Sequence, residues 1–337
     1  MNKRIRKAAG FMGISILFLL FSVPAEATQS FSVEAVLPEN QVNKEVGYFH
    51  LCLAPSEQQT VEIKLYNDTS EEQTYRLAIN PATTNRQGAI VYDRSDKASD
   101  NAIQAIAKPK QEQVTVAANS VGKAEVEIIM PSEAFPGIQL GGIWISEVSK
   151  QDEGEKGKVA IQNKVGYAIA LLLVNSNEFP VYGESGLKLL EVKPESDLGR
   201  SYIEAAIQNP YPEIQQELTV EGKILLEGKV ITEAKLENVK IAPNSVLPFQ
   251  LELEQPLETG TYSFEAVVSS KEHQWDFQDT FEISKKVTNT MKENVIKRES
   301  KSSMNLRPII IWVIFSLLFL GLVLVMKVKI KQRREDK

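Results

Sequence analysis

The chain contains few residues of the types that usually perform catalysis. His50 and His273 are its only imidazoles, and Cys52 is its only thiol. Neither histidine has a second His or Cys at the i+3 or i+4 spacing of a helical metal site, so the sequence predicts no metal and no cofactor. His50 and Cys52 would share one face of a strand, but a nucleophile pair would still need an orienting carboxylate. The simplest interpretation of Cys52 is a small buried hydrophobic side chain.

Paired carboxylates are the second candidate for chemistry. Glu125 with Glu127, and Glu252 with Glu254, have the i, i+2 spacing that places both side chains on one strand face. The two acids of a glycosidase must instead flank a substrate cleft. The pairs are therefore more typical of a solvated strand face. This scarcity favours a binding protein, and a surface enzyme acting on glycans is the alternative.

Two segments depart from a plain strand pattern. Residues 80–92 are a polar excursion between apolar runs, which predicts either a binding loop or a long strand connection that satisfies its own hydrogen bonds. Residues 135–144 contain Gly141 and Gly142, where a second chain could approach the backbone and Trp144 could act as an aromatic anchor. A tight bend before a buried, already paired strand is the alternative for this segment.

The elements that must position these residues are strands. Hydrophobic and polar residues alternate in the runs 60–66, 73–79, 113–116 and 123–129, which predicts strands with one buried face. The more continuously apolar runs 141–145 and 166–174 predict strands buried on both faces. After residue 183 the pattern restarts, with seven candidate strands in about a hundred residues, the size of an immunoglobulin-like domain. We predict an all-β chain of two tandem immunoglobulin-like β-sandwiches.

Both ends of the chain have a different composition. Lys and Arg precede an apolar run at 8–23, and the small residues Ala25 and Ala27 follow it, which predicts a cleaved signal peptide rather than an uncleaved anchor. Residues 309–326 are uncharged and would rise about 27 Å as a helix, close to the thickness of a bilayer core. Basic residues follow this segment. We therefore predict a single-pass protein of the cell membrane, with its N-terminal ectodomain extracellular and its C-terminal tail cytoplasmic.

The predicted organisation follows from these patterns. It comprises a signal peptide at 1–27, a first sandwich at 28–178, a second sandwich at 183–285, a polar stalk at 286–308, a transmembrane helix at 309–326 and a basic tail at 327–337. The charged segment 150–157 is either a hairpin loop within the first domain or the boundary between the domains.

The charge balance limits the partners. Residues 28–306 carry 27 Lys and Arg against 41 Asp and Glu, a net charge near −14. Nucleic-acid binding needs a basic surface, so this class of partner is excluded. A single cysteine in an exported chain indicates a cell surface that does not rely on disulfides, such as that of a Gram-positive bacterium.

Short motifs resemble one family in the same order along the chain. The motifs LPEN at 37–40, ATTN at 82–85, GAIVY at 88–92 and LGGI at 140–143 resemble the first domain of the WxL-interacting surface proteins of low-GC Gram-positive bacteria. The motifs AIQNP at 206–210, IAPNS at 241–245 and LETGTY at 257–262 are similar to its second domain. The resemblance implies a peptidoglycan-binding first domain, a host-binding second domain and secreted WxL-domain partners. It also implies that the strand near residue 161 starts the second domain.

The predicted function is a membrane-anchored adhesion and scaffold protein without catalysis. Its predicted partners are peptidoglycan, WxL-domain surface proteins and host surface or matrix proteins. The segment 137–145 is predicted to bind a WxL-domain partner by strand addition. The predicted contact residues are Asn40, Thr83, Thr84, Asn85, Arg86, Tyr92, Gly141, Gly142 and Trp144.

Overall fold

The computed structural model describes residues 31–93, 103–148, 166–176, 186–197 and 200–302, with Trp312 and Ser316. Its strands are β1 (Phe31–Val36), β2 (Phe49–Cys52), β3 (Gln58–Asn67), β4 (Gln73–Pro81), β5 (Thr83–Thr84), β6 (Ile90–Val91), β7 (Ala107–Pro109), β8 (Gln113–Val116), β9 (Ser120–Ile129), β10 (Ile138–Glu147), β11 (Gly166–Val174), β12 (Lys188–Asp197), β13 (Arg200–Asn209), β14 (Gln215–Leu226), β15 (Lys229–Ile241), β16 (Ser245–Glu252), β17 (Gly260–Ser269) and β18 (Gln274–Ile283). Two helices span Ile103–Ile106 and Lys285–Ser302. The described chain is all-β, as predicted. It divides into a first unit, residues 1–81 with 92–180, and a second unit, residues 82–91 with 181–337.

Two sheets build the first unit. Their strand orders are β1-β3-β9-β7 and β2-β11-β10-β4-β8. Alternation along β3 buries Ile63 and Leu65, and Ile143 and Ile145 of β10 belong to the same buried cluster. Because side chains from both sheets share one core, this arrangement is consistent with a β-sandwich.

Strand β11 belongs to the first unit. It pairs antiparallel with β10, from Gly166 opposite Ser146 to Val174 opposite Ile138, and parallel with β2. This is the pairing that a hairpin interpretation of segment 150–157 requires. That segment itself lies outside the described residues.

Strand β4 is longer than its sequence pattern predicts. Asn80 and Pro81 have the composition of a turn, yet β4 continues through Pro81, which lies opposite Gly141 of β10. Strand β8 pairs only with Gln73–Arg76 of β4. The last residues of β4 therefore need fewer ladder hydrogen bonds, so a residue without an N–H is tolerated there.

A buried asparagine joins the two sheets of the first unit. Asn67 ends β3 and is 1% exposed. Its Nδ2 donates to the carbonyl oxygens of Glu71, Val116 and Ala117 at 2.8, 3.1 and 2.9 Å. Its Oδ1 accepts from the backbone N–H of Thr69 at 3.0 Å. One side chain thus binds the turn after β3 to the end of β8, a strand of the other sheet.

The second unit contains the same arrangement. Asn209 ends β13 with no exposed surface, and its Nδ2 donates to the carbonyl oxygens of Glu213 and Ala242 at 2.7 and 3.0 Å. Its Oδ1 accepts from the N–H of Tyr211 at 3.1 Å. In both units the asparagine side chain bonds to the backbone of the residues two and four positions after it, in addition to its bonds to the other sheet. The left-handed Asn119 and Asn244, at φ 49° and 50°, follow the two contacted strands. We call this shared feature the asparagine corner.

The second unit also has two sheets around one core. Their orders are β12-β13-β16 and β15-β14-β17-β18. Phe249 of β16 and Phe264 of β17 lie in one buried cluster. Gly222 of β14 faces them, and a Cβ there would lie 2.6 Å from Phe249 Cε1, so a larger residue would displace the ring.

The hairpin formed by β5 and β6 is part of the second unit. The Oγ1 of Thr84 accepts from the N–H of Ala242 at 3.0 Å and lies 3.1 Å from Ser245 Oγ. The carbonyl of Gly88 accepts from the N–H of Lys240 at 2.7 Å. The predicted first sandwich, 28–178, therefore includes ten residues, 82–91, that pack in the other unit. Local sequence does not reveal this, because Thr84 and Ala242 are 158 residues apart along the chain.

The start of the predicted stalk, 286–308, packs on the second unit. The helix Lys285–Ser302 begins directly after β18, and Thr288 and Met291 are 3% and 1% exposed. Met291 belongs to the buried cluster of this unit, and Val287 packs against it. The first turns of this segment are therefore part of the domain.

The prediction that this chain is a single-pass protein of the cell membrane is contradicted by the structure. Among the residues that the structure describes, no helix is long and apolar enough to cross a membrane. The helix Lys285–Ser302 has 18 residues but carries Lys, Arg and Glu along its length, and charged side chains are costly in hydrocarbon. The predicted span, 309–326, lies outside the described residues apart from Trp312 and Ser316. The predicted signal peptide, 1–27, and the tail, 327–337, lie wholly outside them.

Candidate binding site

Strand β10 is central, so the predicted strand addition at 137–145 is wrong. It pairs with β11 on one side and with β4 on the other. A Cβ on Gly141 would lie 2.7 Å from the carbonyl oxygen of Asn80 and 2.8 Å from Ile103 Cγ1. Gly141 therefore allows close packing within the first unit and leaves no backbone edge open.

Gly142, on the opposite face of β10, is covered by Tyr92. A Cβ at Gly142 would lie 2.5 Å from both Cβ and Cγ of Tyr92. The carbonyl of Tyr92 accepts a hydrogen bond from Asn80 Nδ2 at 2.7 Å. Burial raises the pKa of Tyr92 to about 12, with a smaller contribution from Tyr48. Tyr92 is thus a neutral, partly buried side chain fixed against the sheet.

Trp144 shares the outer face of β10 with Gly142. A Cβ at Gly166 of β11 would lie 2.3 Å from Trp144 Cζ2, so the six-membered ring of the indole packs against the Gly166 backbone. Trp144 is half-buried, and its cross-strand neighbours are Ala78 and Ala168. An aromatic side chain bordered by small residues offers a surface on which a sugar ring can stack.

Asn80 is a site residue that the sequence patterns miss. It is 2% exposed, and its Oδ1 has no hydrogen-bond partner in the described part of the chain. Such acceptors are rare in native proteins and carry a desolvation cost. The Asn-Pro dipeptide indicates a turn, which conceals the strand position of Asn80. Gly166 is likewise revealed only by its contact with Trp144.

The four predicted contact residues Thr83, Thr84, Asn85 and Arg86 lie in the second unit, whereas Tyr92, Gly141, Gly142 and Trp144 lie in the first. Thr84 is 7% exposed, and its hydroxyl is used inside the unit. Asn85 Oδ1 accepts from the N–H groups of Gln87 and Ala89, both at 3.0 Å, and shapes the hairpin turn. Arg86 is exposed.

Asn40 belongs to the first unit and is exposed. Its side-chain amide exchanges two hydrogen bonds with that of Gln59, at 2.9 and 3.0 Å. This pairing fixes the Asn40 amide on the surface and uses one donor and one acceptor of each partner.

The two histidines considered for catalysis belong to different units. Burial lowers the pKa of His50 on β2, so this imidazole is neutral at physiological pH. His273 is in the other unit and stacks on Trp275 at 5.8 Å. Within the described residues no three His, Cys, Asp or Glu side chains are grouped as metal ligands.

One carboxylate of each predicted pair forms an exposed ion pair. Glu125 lies 3.1 Å from Lys123 and 3.4 Å from Lys110, and the Lys123 interaction is the main cause of its lowered pKa. Glu252 pairs with Arg200 at 3.0 Å. Their side chains are at least one third exposed, as expected for a solvated face.

Two family models match most of the chain. Residues 31–147 match the family model of the WxL Interacting Protein peptidoglycan binding domain, and residues 156–293 match that of the WxL Interacting Protein host binding domain. The second match begins before β11, although β11 pairs within the first unit. No curated protein matches the chain.

Solved structures show only distant similarity. The Pseudomonas aeruginosa CupB2 chaperone has 11% identity and a TM-score of 0.30, with 69% of this chain and 97% of that chain covered. The E. coli chaperone DraB has 12% identity and a TM-score of 0.30, with 76% and 96% covered. These TM-scores are too low to support a conclusion. The two domain matches, in the order that the sequence motifs predict, place the chain in the WxL Interacting Protein family.

Proposed function

We propose that this protein is a non-catalytic scaffold of the bacterial cell surface. Its first domain binds peptidoglycan, its second domain binds host surface or matrix proteins, and WxL-domain proteins are further partners. The observation that carries this proposal is the ordered pair of binding-domain matches over residues 31–293. The predicted signal peptide, 1–27, and an immunoglobulin-like topology for both sandwiches belong to the same proposal.

The peptidoglycan contact is best supported on the outer face of β10. Trp144 lies there among small side chains, and Tyr92 packs on the same face. A glycan presents hydroxyl and amide groups with apolar ring faces, which suit an aromatic surface and uncharged hydrogen-bonding groups. Neutral contacts also fit the acidic segment 28–306, because electrostatic attraction to anionic wall polymers is not available to it.

Retention on purified sacculi tests the site. Replacing Trp144 with Ala should weaken binding roughly 5- to 30-fold, the usual cost of removing one aromatic anchor. Trp275→Ala is the matched control, because Trp275 is also a half-buried strand tryptophan but lies in the second unit. Equal retention of Trp144→Ala and wild type would contradict the site.

The same incubation distinguishes a scaffold from a glycan-degrading enzyme. A scaffold leaves the sacculi intact, whereas an enzyme releases soluble fragments into the supernatant. Chromatography of the supernatant measures this directly, and fragment release by wild-type protein would overturn the non-catalytic assignment.

A further inference from the structure

Most strand edges of the first unit are closed by side chains or short strands. Gln41 closes β2: its Nε2 donates to the carbonyl of Tyr48 at 2.7 Å, and its Oε1 accepts from the N–H of His50 at 3.1 Å. Asn67 closes the end of β8. Strand β7 has only three residues and ends in Pro109. Such devices prevent the open backbone of an edge strand from pairing with another chain.

Among the described strands of the second unit, three of the four edges of its two larger sheets are interrupted. Strand β12 has a register shift between Leu189 and Glu191 and contains Pro194. Strand β15 has three register shifts against β14. Strand β16 contains Pro248, and its last carbonyl, that of Glu252, accepts from Thr232 Oγ1 at 2.8 Å. Bulges and prolines of this kind are characteristic of protected edges.

The fourth edge, β18, has none of these interruptions. It pairs with β17 in unbroken register over ten residues, and β17 is its only hydrogen-bonded strand partner among the described residues. Strand β12 of the other sheet also contacts β18. Trp275 near its start packs against Gly186, so the open part begins at Asp276. Gln278, Thr280 and Glu282 are exposed along this part.

The charge of β18 is one-sided. It carries Asp276, Asp279 and Glu282 and no basic residue. Lysine, which commonly protects strand edges from pairing, is therefore absent from this edge. Opposite charges directly across a strand pair stabilise it, and like charges destabilise it. A strand that pairs here should consequently carry Lys or Arg at its outward positions.

A cavity of about 890 Å³ crosses the solvent face of the same sheet and reaches β18. Residues of all four strands line it, with Asp276 and Gln278 at the β18 end. Outward side chains of an added strand would lie beside Asp276 and Gln278. Its lining carries four carboxylates and two lysines, and the lysines are paired with Glu265 and Glu221 at 2.9 and 3.0 Å. The concave face next to the open edge therefore has a small excess of negative charge.

We propose that β18 is the docking edge for a WxL-domain protein, which adds a β-strand with basic outward side chains to the four-stranded sheet. This inference rests on the proposed function, because it assigns a surface to the WxL partner. Backbone hydrogen bonds would supply affinity, and the acidic side chains of β18 would select a basic strand.

Strand β1 is the rival edge and provides the matched control. It has six residues in unbroken register with β3. The Phe31 carbonyl on β1 accepts from Tyr167 Oη at 3.0 Å, and Glu34 is paired with Lys64 at 2.9 Å. The β1 edge is therefore shorter, and its only acidic side chain is already neutralised.

Two triple variants of the full-length chain test the assignment. Asp276→Lys/Gln278→Lys/Thr280→Lys changes the charge of β18 by four units, and Ser32→Lys/Glu34→Lys/Val36→Lys makes the same change on β1. Capture of a purified WxL-domain protein is measured for each variant, with thermal unfolding as the control for folding. We expect the β18 variant to lose about tenfold or more in affinity and the β1 variant to bind like wild type. Loss in the β1 variant alone, or equal loss in both, would overturn the β18 assignment.

A cross-linking experiment covers the case in which a triple variant does not fold. A photoreactive residue in place of Gln278, or of Glu34 as the control, reports contact without a charge change. We expect an adduct with the WxL-domain protein from position 278 only, and an adduct from position 34 only would overturn the proposal. If wild-type protein captures no WxL-domain protein, the partner assignment itself fails, whereas capture without contact at β18 refutes only this edge.

Discussion

The asparagine corner gives the sharpest stability prediction. Replacing Asn209 with Ala removes two short donated bonds, to Glu213 and Ala242, and one accepted bond, from Tyr211. A longer donated bond of 3.5 Å, to the Ile241 carbonyl, is weak and adds little. Asn209 has no exposed surface, so the backbone groups that it leaves cannot all recover their bonds from water. A net value of about 1 kcal/mol per bond gives a loss of about 3 kcal/mol. For a unit of this size, that loss lowers the melting temperature by roughly 10 °C.

Urea unfolding of the full-length chain measures this loss. Asn85→Ala is the matched control in the same unit, because the bonds of Asn85 are local and exposed, and it should cost about 1 kcal/mol or less. Asn67→Ala should destabilise the first unit by as much as Asn209→Ala destabilises the second, since the two corners make equivalent bonds. If Asn209→Ala costs no more than Asn85→Ala, the corner does not hold the sheets together.

Three further outcomes are expected. Thr84→Val should destabilise the second unit by about 1–2 kcal/mol in urea unfolding, because the buried N–H of Ala242 loses its acceptor, while the first unit is unchanged. Gly141→Val should lower thermal stability and partner capture together, because its side chain would overlap the Asn80 carbonyl; a stable variant that fails only in capture would contradict the central position of β10. Retention on sacculi should hold or rise between low and physiological salt, because screening weakens repulsion between the acidic segment 28–306 and anionic polymers; a collapse in retention would show that attraction between opposite charges supplies the binding.

Strand content was predictable because it depends on local alternation. The runs at 60–66 and 123–129 became β3 and β9, and the continuous runs around 143 and 169 became the doubly flanked β10 and β11. The sequence allowed residues 135–144 to be either an approach site for a second chain or a bend before a paired strand. The choice depended on β4, whose Pro81 lies opposite Gly141 although it is distant in the sequence. Only the register with β4 shows that β10 has no free edge.

The candidate site was less predictable, because proximity in sequence does not decide membership of a unit. Residues 82–92 are continuous, yet Thr84 bonds in the second unit and Tyr92 packs on Gly142 in the first. The asparagine corners have a weak signal in the repeated Asn-x-x-x-Glu spacing at 67–71 and 209–213. Nothing local indicates that each amide reaches a strand some fifty or thirty residues further on.

The sequence by itself determined the all-β class, the order of the two binding domains, the acidic character and the family, because these depend on composition, short-range periodicity and ordered motifs. The tertiary structure decided which glycines pack, which strand edges stay open and which unit each loop residue joins. These properties depend on strand register and on contacts between distant residues. A one-residue change of register moves every side chain to the opposite face of its sheet, and no local pattern records that choice across a long separation.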